Sequence, residues 1–318
     1  MRIKTITIFV LLGLLFSCKN EVKKPNFKHY FNQSFNLIKK EYIKTGELNW
    51  IEIENNINDS IPKFRNNIDV YNGIRYTLKQ INDKHSFFLP PKNQSNFFIN
   101  DSVIIPKIKY EILDNKIGYI KILGLAANDS ISSLYSLKIR EALKKLDIYP
   151  NLSGWIIDLR NNRGGKLGTF SLGLAPLYTD TIIGLSINNK GKYIKHKLSN
   201  NNYYYGDNII NTIKLTDTLI NKNKPIAILV NEKTASLGES TAQSFKFQKQ
   251  TLIFGTKTRG LTSDLQVFEY VSGARLGLST SFICDENKKT LEEGIIPDIE
   301  CTSEQSLKLA IEWIKSII

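Results

Sequence analysis

The sequence predicts an α/β fold with a mostly parallel, buried sheet, and three features carry that prediction. From Ile104 onward, short and almost unbroken apolar runs alternate with helical segments, as strands covered on both faces do. Ahead of them, Phe27 to Asp83 keeps a three-to-four apolar spacing without strand-like alternation. The 318 residues, 42% apolar and 23% charged, are enough to bury ~75% of the unfolded surface, which excludes a disordered or coiled-coil chain.

At the N-terminus, Arg2 and Lys4 precede an apolar run from Ile6 to Phe16, and Ser17-Cys18 follows. This is the tripartite layout of a secretory signal, and its run is shorter than the ~20 residues that span a bilayer. A cysteine directly after a small residue resembles the lipobox of bacterial lipoproteins. The expectation is a signal peptide over 1–17, cleavage before Cys18, and a lipid on the Cys18 sulfur that holds the protein to a membrane. Residues 18–26, polar and containing Pro25, read as a tether. The body then lies in an exported aqueous compartment, where a Cys284–Cys301 disulfide is permitted though not implied.

Residues 27–100 are expected to form an N-terminal helical domain, its apolar faces drawn by Phe31, Phe35, Ile38 and Tyr42 and by Ile68, Tyr71, Ile74, Leu78 and Ile81. The polar stretch after Pro90-Pro91 marks the boundary with a core domain over 101–318. There, strands are read at 117–122, 155–159, 226–230 and 252–254, helices at 130–146, after Gly165 and at 236–247, and a hairpin at 268–281. The Asn-, Lys- and Tyr-rich interval 178–222 reads as an irregular, partly stranded insertion.

The formal net charge of +13 is spread along the chain, so it describes a solvated basic surface and not a nucleic-acid interface. Three cysteines and three scattered histidines make neither a disulfide framework nor a four-ligand zinc site. No G-x-G-x-x-G or P-loop occurs. No metal or other cofactor is expected.

Three segments could carry chemistry. Asp158-Leu159-Arg160-Asn161-Asn162-Arg163-Gly164-Gly165 leaves a strand with paired glycines, which can turn backbone N–H groups toward an anion. Asn231-Glu232-Lys233-Thr234-Ala235-Ser236-Leu237-Gly238-Glu239 places Ser236 at a helix start, suiting either a nucleophile or a capping box with Glu239. Asp83-Lys84-His85-Ser86 ends the helical region with a histidine, the side chain that titrates near neutrality without large perturbation.

In order, strand-DLRNNRGG, strand-NEKTASLGE, Gly255-Thr256-Lys257-Thr258-Arg259-Gly260 and Glu293-Gly294-Ile295-Ile296-Pro297-Asp298 resemble the serine peptidases of the carboxyl-terminal processing (tail-specific) protease family, over roughly residues 70 to 300. The resemblance implies a crotonase-like or Clp-protease-like core of ββα units behind an N-terminal helical region. It places Ser236 as nucleophile, with the N–H of Leu237 and of Gly164 or Gly165 as oxyanion hole. Many members carry a lysine base after the next strand; here that place holds Leu261. The chain is thus similar to the branch of the tricorn protease core, where a histidine ahead of the core serves the serine, and His85 fits that position. The space between His85 and Gly118 is too short for a PDZ domain. For a third member of the triad, Glu292, Glu293 and Asp83 stay open.

The N-terminal segment and the resemblance together imply an exported, lipid-anchored serine endopeptidase with polypeptide substrates. Two other classes share the architecture: a lipoprotein that binds peptides in an inactive cleft, and a crotonase-type acyl-CoA enzyme, which export disfavours.

Overall fold

The structure, a computed structural model, describes residues 26–317 apart from 62, 92–102, 150, 215–220, 222 and 271. The signal peptide, Cys18, nearly all of the tether and the expected domain boundary lie outside the described residues.

Three helices come first: α1 (Phe27–Glu41), α2 (Trp50–Ser60) and α3 (Asn67–Gln80). Each starts on an asparagine whose side-chain oxygen accepts from a first-turn N–H, Asn26 from His29, Asn49 from Glu52 and Asn66 from Asp69, which satisfies one of the donors a helix start leaves free. The expected apolar residues turn inward, except Ile68, which is 66% exposed. The helices do not close a core of their own. Phe31, Phe35, Ile74 and Leu78 pack with Phe88, Ala274, Leu276 and Leu278, so the helical region shares its core with a sheet built largely from the other end of the chain.

That sheet has seven strands. Strand β1 (Phe87–Leu89) joins it from the helical side; four further strands, β5 (Ile182–Asn188), β6 (Tyr193–Ser199), β7 (Asn202–Tyr205) and β8 (Asn208–Thr212), form an antiparallel meander; β11 (Ser263–Glu269) and β12 (Arg275–Cys284) are the long hairpin. The interval read as irregular is therefore mostly ordered sheet. Its strands are short and broken by Asn-rich turns with left-handed residues such as Asn200 and Asn201, which hides the alternation a longer strand shows.

The second sheet runs β13 (Ile299–Glu300), β10 (Thr251–Gly255), β9 (Ile226–Val230), β4 (Gly154–Asp158), β3 (Ile117–Lys121) and β2 (Lys109–Leu113), all parallel except the β2–β3 pair. Helices α4 (Asp129–Asp147), α5 (Thr169–Leu174) and α6 (Leu237–Ser244) cover one face, where Tyr135, Ile139, Phe170 and Ala242 meet Trp155, Ile157 and Ile228. The C-terminal α7 (Ser306–Ser316) covers the other, where Ala310 and Ile314 meet Ile156, Ala227 and Leu229. Alternate residues of β4 and β9 thus face opposite apolar layers, which is why these strands read as unbroken apolar runs. Cys284 and Cys301 are both free thiols; the permitted disulfide does not form.

Candidate active site

Ser236 stands at the corner between β9 and α6 with φ 54° and ψ −123°, a sparsely populated conformation for a residue with a side chain. The surroundings fix this corner from several sides. Asn162, fully buried, accepts the Ala235 N–H on its backbone oxygen at 2.8 Å, donates from Nδ2 to Ile122, and accepts the Gly164 N–H on Oδ1 at 2.8 Å. Thr234 donates to the Leu159 carbonyl, and Asn231 bonds Asn161. The DLRNNRGG and NEKTASLGE segments are thereby joined into one unit.

Glu239 anchors the other side. Its buried carboxylate accepts from the Ser236 N–H (2.8 Å), the Thr258 hydroxyl (2.6 Å) and the N–H groups of Gly260 (2.7 Å) and Leu261 (2.9 Å). Burial raises its pKa while these donors pull it back down. The capping box expected between Ser236 and Glu239 is present, and the serine hydroxyl also faces a second partner.

That partner is His85. Its Nε2 lies 3.1 Å from Ser236 Oγ, across 151 positions of sequence. The histidine is carried on a turn in which Asp83 accepts the N–H groups of His85 and Ser86, immediately before β1 pairs with β12. From Nδ1 a chain of contacts leads away from the site: Ser263 Oγ at 2.8 Å, then Ser279 Oγ at 2.8 Å, then Asp83 Oδ2 at 2.6 Å. Ser86 also donates to Asp83 Oδ2. If each hydroxyl donates toward the carboxylate, the imidazole hydrogen is on Nδ1 and Nε2 is the acceptor facing Ser236. Burial lowers the pKa of His85, opposed by the charges of Asp83 and Asp264 and a hydrogen bond to the Ser263 backbone.

The other sequence-expected residues divide. Glu292 pairs with Lys44 at 2.6 Å and Glu293 with Lys257 at 3.1 Å, the latter 87% exposed. Neither meets His85, and the expectation that one of them orients the imidazole is corrected: it is the backbone of this segment that turns inward, Gly294 lying against Gly260 and Ile295 donating to Thr258. Asp83, the alternative left open, connects to the imidazole through two serines. Gly164 lies against Ser236 and the Leu237 nitrogen, but its N–H is held by Asn162. Leu237 opens α6, where an N–H has no intrahelical acceptor. Gly165 bridges to Leu125.

Sequence reasoning missed Ser263, Ser279, Ser86 and Asn162. Asn162 and Ser86 carried a signal, their places inside DLRNNRGG and beside His85; Ser263 and Ser279 sit in strands where nothing marks them.

A serine at a helix start, an imidazole on its hydroxyl and a carboxylate behind the imidazole is the layout of the serine-hydrolase class. The comparisons identify the group within it. The profile of Peptidase family S41 matches residues 116–301, and the chain belongs to this family. It is 29% identical to the nisin-resistance protein of Lactococcus lactis subsp. lactis over 275 residues, 86% of this chain and 82% of that relative. Its fold superposes on a lipoprotein of Streptococcus agalactiae with TM-score 0.76 and 25% identity, covering 92% of this chain and 98% of the other. The photosystem II D1 C-terminal processing protease shares the fold, with TM-score 0.62 at 14% identity over 88% of this chain and 94% of its own. The crotonase-like α/β core expected from the sequence is thus the fold of a known peptidase family.

Proposed function

We propose that this chain is a lipid-anchored serine endopeptidase of the cell envelope. The observation that carries the reading is the 3.1 Å contact between His85 Nε2 and Ser236 Oγ, which also favours catalysis over an inactive peptide-binding cleft. In this reading His85 removes the Ser236 proton as the oxygen attacks a peptide carbonyl, and the Ser263–Ser279–Asp83 chain holds the imidazolium. The oxyanion is received by the N–H of Leu237 and by Gly165, the glycine of the pair whose N–H is not bonded to Asn162. His85 returns the proton to the leaving amine, and water, activated by the same imidazole, hydrolyses the acyl-enzyme.

The likeness to a lipoprotein and to a nisin-resistance protein supports the anchor on Cys18, the envelope location, and a peptide substrate of nisin's kind. The division into a helical region over 27–100 and a core over 101–318 belongs to the same reading.

The test is reaction of the full-length chain with a fluorophosphonate probe, mass mapping of the adduct, and repetition with His85→Ala, followed by incubation with nisin and unrelated peptides. The reading expects an adduct on Ser236 that vanishes with His85, and new peptide termini. A well-folded protein that takes no label rejects it.

A further inference from the structure

Next to Ser263 along β11 begins a second buried polar cluster for which the steps above have no use. Asp264, next in β11 and 10% exposed in its side chain, accepts hydrogen bonds from Ser186 of β5, from Ser281 of β12 at 3.1 Å and from Tyr205 of β7 at 3.2 Å. His196 of β6, fully enclosed, lies 3.7 Å away and bonds Ser186 and Tyr203, both at 2.8 Å. Ser186 is completely buried, so this Ser–His–Asp grouping is closed to substrate and makes no second active site. The β11–β12 register shifts between Asp264 and Leu265. Consecutive residues of β11 point to opposite faces and so serve two networks: Ser263 reaches His85, and Asp264 ties the same strand to the meander, while the extra residue on β12 puts Ser279 with Ser263 and leaves Ser281 with Asp264.

We propose that Asp264 is a positioning residue for the acyl transfer, locking Ser263 against His85 and placing a second buried negative charge behind the imidazole, alongside Asp83. This rests on the peptidase reading of Ser236 and His85. The charged groups acting on His85 are Asp83 from its own turn and Asp264 from β11. Around Asp264 stand His196, Tyr203, Tyr205 and Cys284. An imidazolium forming within reach of two carboxylates gains from both, and three hydroxyl donors hold the second one in place.

The experiment is the rate of fluorophosphonate labelling of Ser236 in the full-length chain as a function of pH, for the parent and for Asp264→Asn. Removing the charge moves the acid limb about one pH unit lower and lowers the plateau about tenfold, while Tyr205→Phe, which keeps the charge, leaves the limb in place. A folded Asp264→Asn with an unshifted limb and plateau overturns the proposal. If Asp264→Asn does not fold, Asp264→Ser, neutral and still able to hydrogen-bond, is read in the same way. Failure of every neutral variant to fold, with Asp264→Glu folded and active, makes the role structural and overturns the proposal too. A parent chain that takes no label rejects the peptidase reading, and this inference with it.

Discussion

Gly164 approaches Ser236 so closely that a β-carbon on the glycine would stand 2.7 Å from the serine Cβ and 3.0 Å from the Leu237 nitrogen. Its φ of +93° adds a second requirement for glycine. Its N–H already bonds Asn162, so in the proposed reading Gly164 acts through this close contact. Gly164→Ala is expected to push the nucleophile corner outward and slow labelling of Ser236 by about 10²-fold, as a misplacement of about 1 Å does. Labelling kinetics beside a thermal melt check it: near-parent labelling in a folded variant refutes the steric account.

The relay behind His85 makes its own prediction. Ser279→Ala removes the hydroxyl between Ser263 and Asp83 but leaves the Ser279 N–H bond to Ser86, so the fold stays and the imidazole loses its connection to the carboxylate. Labelling should fall by ~10-fold to 10²-fold, and Asp83→Asn should cost as much or more, within the ~10²- to 10⁴-fold that proton-transfer groups supply. Equal rates in parent and Ser279→Ala would remove Asp83 from the mechanism.

Burial sets the direction of the pH dependence. His85 is held below the ordinary histidine value, so it is neutral and able to accept a proton throughout the neutral range, and the acid limb of labelling should have its midpoint below pH ~6.5. The same sign governs stability. The unfolded chain takes up the proton first, so the contribution of His85 is complete above the unfolded pKa and is lost as pH falls through the folded one. His196 is depressed for the same reason and adds to the loss. Unfolding midpoints between pH 7 and pH 5 provide the check.

The helical region is tied to the sheet by buried apolar contacts, with Leu276 of β12 fully enclosed among α1, α3 and β1. Leu276→Ala should cost ~2–5 kcal/mol, measurable by denaturant unfolding. Since β1 follows the His85 turn directly and pairs Phe88 with Leu276, activity should fall at denaturant concentrations where the parent is still fully active.

How much was legible in the sequence follows the range of the interactions. The parallel core was readable because strands covered on both faces are apolar at every position, and Ser236 and His85 could be placed because motifs in fixed order surround them. Glu292 and Glu293 were wrong for a local reason: two acids beside a glycine look equivalent in sequence, and only the approach of Gly294 to Gly260 sends both side chains to solvent. The meander was hidden by its brevity. Ser263 and Ser279 were invisible because their role depends on the pairing of β11 with β12 and on a turn nearly two hundred residues earlier; a serine in a strand carries no mark of what lies across it.

The histidine and the serine hang from different sheets, and this orders the assembly of the site. Residue 85 leaves the ribosome long before residue 236, and the serines at 263 and 279 later still, while domains form from the N-terminus as the chain emerges. No nascent fragment ending before β12 holds both Ser236 and a His85 backed by Ser263 and Ser279. In the proposed reading the chain thus passes through synthesis and export without a working blade, and hydrolytic power arrives only when segments far apart in the sequence have met.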